Sequence, residues 1–231
     1  MSESDLGKLI QKYVFDLDFR PYYDYLDTIV NFLETEGEKR NQDVNEIKQK
    51  IESGLEEPDD GQRPAELDEL DYYSHRLSDI YEFKNILFSS FFVTIYFYLE
   101  SEITSHCRNL EKENKENLSF SDIAGNGILA RAKTYLTKVH RIDFSFETSP
   151  EWGRIKNYTR LRNCIVHNQG RLDEGFEKGQ RDKLSKFIHQ PDSKLQLIDS
   201  WCILNKEFCL EALDTINAFL YSITFARQKA L

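Results

Sequence analysis

The sequence predicts an all-α fold, an antiparallel helical bundle built around one long central helix, and three observations carry that prediction. The chain has 231 residues with 16 Phe and 12 Tyr against only 10 Gly and 5 Pro, a balance that suits long packed helices and disfavours a turn-rich β architecture. Apolar residues recur at intervals of three and four in several segments, most regularly at Cys209, Leu213, Ile216, Leu220 and Ile223, the spacing of a helix seated in a bundle. Residues 86–99 are almost wholly apolar, broken only by Ser89, Ser90 and Thr94. A helix apolar on every side belongs at the centre of a bundle.

Taken in order, residues 4–17 read as a short helix with Leu6, Leu9, Ile10 and Tyr13 at helical spacing. Pro21 sits where a new helix could begin, since proline is tolerated in a first turn. From there Tyr22, Leu26, Ile29, Val30 and Leu33 share a face, and residues 35–56 form a solvated amphipathic helix striped by Val44, Ile47, Ile51 and Leu55. Residues 56–64, with two prolines, a glycine and several acids, form the clearest linker. The long central helix follows from about Ala65 to about Asn114, and its polar end at 111–117 should protrude into water. After a loop at 119–127, Asn126 is placed to cap a helix running to about His140, with Ile128, Leu129, Ala132, Leu136 and Val139 buried. The next helix covers about Pro150 to His167, and Asn168-Gln169-Gly170 supplies its glycine stop. A polar stretch leads to residues 194–204, where Leu195, Leu197, Trp201 and Ile203 alternate enough to allow a small β-hairpin across Asp199-Ser200. The last helix runs from Lys206 to about Arg227. Residues 1–60 therefore read as an N-terminal helical extension and 61–231 as the bundle.

The composition excludes several function classes. A formal net charge of −10 argues against a globally basic grip on nucleic acid, so any such contact must be local or depend on a partner chain. The cysteines Cys107, Cys164, Cys202 and Cys209 have neither CxxC nor Cys/His ligand spacing, which suggests neither zinc nor a disulfide framework. The histidines His75, His106, His140, His167 and His189 are scattered without metal-ligand spacing, and no cofactor is implied. The N-terminus has neither a basic region nor an apolar core of a signal peptide. A membrane span needs about 20 mostly apolar residues, so residues 86–99 read as a buried core helix and a cytoplasmic location is expected, with no membrane partner. There is no GxSxG elbow, no GxxxxGK[ST] loop and no HExxH pair.

What remains is the segment 152–170, with Arg162, Asn163 and His167 at its end. Asn163 and His167 are i, i+4 neighbours on one helical face. Arg162 lies about 100° around the helix from Asn163 and about 7.5 Å along the axis from His167, within reach of a long side chain. A fixed cation, an amide and an imidazole thus crowd a helix C-terminus, where the helix dipole favours positive charge. An imidazole can take a proton from a hydroxyl and return one to a leaving oxygen. Arginine stays charged and suits a phosphoryl group as charge develops on it. Such chemistry needs no metal when the nucleophile belongs to the substrate, as the ribose 2′-OH does in RNA.

Arg162-Asn163-Cys164-Ile165-Val166-His167 resembles the R-x4-6-H signature of the HEPN superfamily, including its frequent Asn after Arg. Arg160 also fits the spacing to His167 but lacks the following Asn, so Arg162 is preferred. Trp152 and Ile155 precede the motif at the usual distance, and residues 127–136 are similar to the preceding helix of a bacterial HEPN branch. An earlier helix in that branch often bears an acid in a [YFW]-x-x-E context, which residues 96–102 match at Glu100. The resemblance covers about residues 80–225. It implies an all-α bundle that dimerises so that two Arg/His motifs meet in a composite cleft. It further implies a metal-independent endoribonuclease in which the 2′-OH attacks the adjacent phosphate and leaves a 2′,3′-cyclic phosphate. His167 would be the general acid/base, Arg162 the phosphate clamp, Asn163 a holder of substrate or of the partner's motif, and Glu100 the residue that orients Arg162. Family settings include toxin–antitoxin pairs and antiviral defence, with RNA, a second copy and a cognate antitoxin or defence partner as partners. Other members have lost catalysis and serve as binding or dimerisation modules for a protein or nucleotide.

Each of these residues has a plainer reading. His167 could cap helix carbonyls, Arg162 could form a surface ion pair, Asn163 could satisfy a backbone group, and Glu100 could be an ordinary surface acid. Trp152 and the aromatic run of 88–98 read as core rather than as a base-stacking platform. Lys156, Arg160 and Arg171 read as solvated charge, and Cys164 as a small core residue.

Overall fold

Helical periodicity dominates the chain, and helices dominate the fold. The structure, a computed structural model, describes the backbone of residues 3–53, 64–114, 118–142, 149–173, 175 and 177–230, and within these the side chains of residues 18–226 except 114 and 225. The described elements are α1 (Glu3–Glu52), α2 (Ala65–Asn114), α3 (Ile128–Thr134), α4 (Pro150–Asn168), α5 (Lys178–Ile188), the strands β1 (Gln196–Ile198) and β2 (Trp201–Ile203), and α6 (Lys206–Ala230). The all-α class with one small hairpin is thus the observed one.

The chain forms two compact units, one of residues 22–88 and the other of residues 1–21 with 89–231. In the first, α1 and α2 run antiparallel. Gly37 lets the helices approach, since a Cβ there would lie 3.4 Å from Cγ2 of Ile80. Arg40 donates to the carbonyl of Arg76 on one side of that contact, and Lys84 faces Glu34 at 4.0 Å on the other. The stripe read from the sequence is the buried one at Leu26, Val30, Leu33, Val44 and Ile47.

The break expected at Pro21 does not occur, and α1 continues through it. A proline removes one backbone hydrogen bond, but buried side chains hold the turns on both sides of it. Phe19 is fully buried, edge-on to Tyr98 at 5.3 Å, and Leu26 is equally buried. The linker read at 56–64 lies, apart from Pro64, outside the described residues.

In the second unit, residues 89–114 of α2 pack with α4, α5 and α6 around an aromatic junction. Phe92 meets Tyr158 at 5.7 Å and Phe208 at 5.4 Å, and Tyr158 meets Phe208 and Phe187 edge-on at 5.8 and 6.2 Å. Each such pair adds about 0.5–1.5 kcal/mol beyond area burial, so this junction fixes how α4 sits. Trp152 stacks on Phe219 at 5.5 Å, a core residue as expected. The α6 stripe from Cys209 to Ile223 is buried throughout.

The centre of α2 differs from the expected all-round burial. Leu87, Phe88, Phe91, Phe92, Ile95 and Leu99 are core, but Ile86 is 64% and Phe97 45% exposed. By length and composition α2 is also one helix capable of crossing a membrane. Its core contacts supply another account of the apolar residues, because the buried positions follow three-and-four spacing on one side of the helix.

Asn126 does not cap α3. Gly127 at φ +92° is the cap residue, and α3 gives way after Thr134 to a π-helical turn over residues 135–139. The wider turn shifts the helical phase, which buries Tyr135 and Leu136 and leaves Val139 half-buried. Helix α5 occupies the stretch read only as polar, and Leu184, Phe187 and Ile188 form its buried side.

The hairpin across Asp199-Ser200 is present, with Gln196 opposite Ile203, Leu197 opposite Cys202 and Ile198 opposite Trp201. Both turn residues have positive φ, +46° and +71°, as a two-residue turn needs if it is to follow the twist of its strands. Asn205 then caps α6, accepting from the Phe208 amide at 2.8 Å, and its own amide donates to Lys194 O at 2.9 Å.

Candidate functional site

Helix α4 begins with Ser149, whose hydroxyl accepts from the Trp152 amide at 3.2 Å, and with Pro150 in its first turn. The buried residues recur every third position, at Trp152, Ile155, Tyr158, Leu161 and Cys164. Leu161 and Cys164 anchor the last turns in the core, so Arg162 and Asn163 fall at its margin, half-buried, and His167 falls in solvent.

The helix stops through two left-handed residues, Gln169 at φ +55° and Gly170 at φ +88°. The hairpin then seizes the departing chain. Cys202 N–H donates to Gly170 O and Leu172 N–H to Ser200 O, both at 2.9 Å, and Arg171 bridges Trp201. Beneath this seam the Cys164 thiol donates to Arg171 O at 3.4 Å, and the Cys202 thiol is buried with it. The neighbouring Cys202 thiol lowers the pKa of Cys164, while the Cys164 thiol and burial raise that of Cys202. Cys164 is therefore core, as read, and is also part of the joint between motif helix and hairpin.

Arg162 donates through Nη1 to Asn163 Oδ1 at 3.0 Å, and its guanidinium lies 4.8 Å from the centroid of the Phe97 ring on α2. Its Nε is buried with no hydrogen-bond partner among the described residues. Glu100, one turn beyond Phe97 on α2, lies in the same neighbourhood. Burial raises its carboxyl pKa, and Arg162 and the Tyr96 phenol pull it partly back. No ion pair within 4 Å joins Glu100 to Arg162 among the described residues; their coupling acts at longer range. Tyr96 donates to Thr159 Oγ1 of α4 at 2.9 Å, and burial pushes its phenol up to about 12. A neutral phenol and a half-buried acid thus stand behind the arginine.

The structure brings three of the sequence-derived residues together: Arg162, Asn163 and Glu100. His167 makes no bond to any of them among the described residues. It is exposed, one turn beyond Asn163, and makes no hydrogen bond or ion pair among the described residues. Val166 beside it is 43% exposed. Arg160, the other arginine at the motif spacing, turns elsewhere, donating to Gln180 Oε1 of α5 at 2.9 Å and to Asn157 Oδ1 at 2.7 Å. Arg171 pairs with Asp173 at 3.0 Å and lies over Trp201, while Lys156 is exposed.

Sequence reasoning missed Phe97, Tyr96 and Thr159. By composition Phe97 reads with the core aromatics, yet it occupies the aromatic position of the same [YFW]-x-x-E pattern that singles out Glu100, and three residues of helix put the two on neighbouring positions of one face. No comparable sequence signal links Tyr96 to Thr159. Among the described residues no cluster of three His, Cys, Asp or Glu groups could hold a metal ion. Chemically, the site offers a fixed cation, an amide and a solvent-facing imidazole. Comparison of the chain with family models, with curated proteins and with solved structures gives no match in any of the three. The family likeness therefore rests on the motif residues themselves.

Proposed function

We propose that this chain is a metal-independent endoribonuclease of HEPN type that works as a homodimer in the cytoplasm, as a toxin or antiviral-defence effector. The observation that carries the reading is the tip of α4. There a solvent-facing His167, unpartnered among the described residues, stands one turn beyond an Arg162–Asn163 pair joined at 3.0 Å, with the Phe97 ring of α2 under the guanidinium and Glu100 acting on it by charge at longer range.

In the proposed reaction a neutral His167 imidazole takes the proton of a ribose 2′-OH. The 2′-oxygen attacks the adjacent phosphorus, and the 5′-oxygen leaves with a proton returned by imidazolium. The products are a 2′,3′-cyclic phosphate and a 5′-hydroxyl. Arg162 stabilises the charge that builds on the non-bridging oxygens. Asn163 Oδ1 holds the guanidinium, and Glu100 biases it by charge. Because His167 makes no bond to Arg162 in one chain, the reading brings a second copy's tip alongside. The exposed Val166 and Phe97 offer apolar surface for that meeting. The bulk charge of −10 confines RNA to this local cationic notch.

The test is end-labelled RNA incubated with purified protein in excess EDTA, beside His167→Ala and Arg162→Ala. General acid/base catalysis contributes about 10²–10⁴-fold, and His167→Ala should lose activity on that scale. One removed charge-stabilising donor costs about 10²–10³-fold, the loss expected for Arg162→Ala. No cleavage by the wild type under any condition refutes the reading.

A second reading is a non-catalytic HEPN module that binds a protein or nucleotide partner, a cognate antitoxin included. Arg162 favours it, since its guanidinium is already engaged by Asn163 and Phe97 of its own chain. Weaker dimerisation of both variants, with no cleavage by any form, would select that reading.

A further inference from the structure

Away from the motif, the second half of α2 and the segment leading into α3 flank a half-open cavity of about 490 Å³ whose lining includes Arg108, Glu111, Lys112, Phe120, Ile128 and Arg131. We infer that this cavity is a binding site for a small phosphorylated ligand of mononucleotide type, held by Arg108, Lys112 and Arg131.

The charge balance of the lining is the first ground. Three cations face one anion, Glu111, in a chain whose net charge is −10. Glu111 is already engaged, accepting the Phe120 N–H at 3.2 Å. Arg131 donates through Nη2 to Phe120 O at 3.1 Å, which leaves its Nε buried without a partner among the described residues. Arg108 and Lys112 are exposed on adjacent turns of one face of α2 and make no ion pair among the described residues. Like charges at i, i+4 repel each other on a helix, and an anion between them reverses that cost. A phosphomonoester carries about −1.5 to −2 charges at pH 7, the complement of the lining's surplus of two positive charges.

Size and shape are the second ground. The volume falls within the roughly 300–1,000 Å³ of small-molecule pockets, more than an inorganic ion fills. Phe120 and Ile128 give the wall an apolar part. The Phe120 backbone is pinned at both its N–H and its C=O, and Arg131 lies over its ring at 4.9 Å, so the wall is built before any ligand arrives. Pre-formed walls reduce the ordering cost of binding.

The inference does not rest on RNA cleavage, and its test separates the two. Calorimetric titration of the full chain with 5′-AMP, inorganic phosphate and adenosine should show AMP binding about tenfold or more tightly than either fragment. The double variant Arg108→Gln/Lys112→Gln changes two exposed side chains, so its thermal unfolding should match the wild type while AMP affinity falls at least about tenfold. His167→Ala should bind AMP as the wild type does. The inference is overturned if AMP does not bind at millimolar concentration, if adenosine or phosphate binds as well as AMP, or if the double variant keeps its affinity. Binding of a short oligoribonucleotide but not of AMP, lost in the double variant, would equally overturn it in favour of an RNA-backbone contact.

Discussion

Three glycines around the motif helix allow a graded test of how its end is held. Gly153 lies in the first turns of α4, its N–H bonded to Ser149 O at 3.2 Å, and a Cβ there meets nothing within 4 Å. Gly153→Ala should therefore stabilise the protein by about 0.5–1 kcal/mol, the helix-interior difference between the two residues. Gly170 sits at φ +88° with room for a methyl group, since the nearest atoms are Cys202 O at 3.8 Å and Trp201 Cε3 at 3.9 Å. Its substitution meets no clash and costs only the left-handed backbone, about 1–2 kcal/mol. Gly175 combines φ +69° with a Cβ position 2.9 Å from Asn168 Oδ1 and 3.2 Å from Asn168 Cγ. Gly175→Ala must also turn the end of the Asn168 side chain aside, which adds a further, smaller cost to the same strain because Gly175 lies at the surface. In thermal unfolding, where 1 kcal/mol corresponds to about 2–4 °C at this size, the order should be Gly153→Ala above wild type, Gly170→Ala below it, and Gly175→Ala lowest. A neutral Gly170→Ala, or a Gly175→Ala milder than Gly170→Ala, would refute the account of how the tip is shaped.

Two further outcomes concern the residues behind the arginine. Phe97→Leu removes the ring under the Arg162 guanidinium, a contact of about 0.5–1 kcal/mol at an exposed site; kcat/KM for RNA should fall about two- to fivefold while the unfolding temperature barely moves, and an unchanged kcat/KM would contradict the bracing role. Glu100 binds a proton more readily folded than unfolded, because burial raises its pKa, so its stabilising contribution is full below the ordinary glutamate range and is lost as pH rises through the raised value. Glu100→Gln should accordingly gain stability over wild type as pH rises from acid to neutral and show no gain in acid, and a pH-independent difference in melting temperature would show that burial does not govern this carboxyl.

Much of the fold is written locally in the chain. Helix α2 was legible at both ends because Pro64 precedes it and the polar run of 111–117 closes it, and α6 because its apolar residues keep one spacing over several turns. The hairpin was legible through alternation on both sides of Asp199-Ser200. Helix α5 was not, since it offers only Leu184, Phe187 and Ile188 as an apolar stripe and the residue that precedes it, Glu177, gives no side-chain cap. The continuity of α1 through Pro21 depends on buried neighbours that a local rule does not see. The π-helical turn likewise leaves no local mark in residues 135–139.

The site divides in the same way. Adjacency in sequence already placed Arg162, Asn163 and His167 at one helix end. The side-chain partners of the two arginines, Phe97 for Arg162 and Gln180 of α5 for Arg160, follow only from packing. Hydropathy likewise marks Phe97 as apolar without saying that it faces solvent beneath a cation. The Tyr96–Thr159 bond joins residues 63 positions apart and exists only once α2 and α4 have met.

The proposed chemistry depends on the substrate's own 2′-hydroxyl, and the most direct measurement removes that group. Two otherwise identical oligoribonucleotides, one unmodified and one 2′-O-methylated at the scissile nucleotide, are incubated with the protein in EDTA. The account predicts cleavage of the unmodified strand alone, with a 2′,3′-cyclic phosphate end, and loss of that product in His167→Ala. Equal cleavage of both strands, or full activity in His167→Ala, would contradict it.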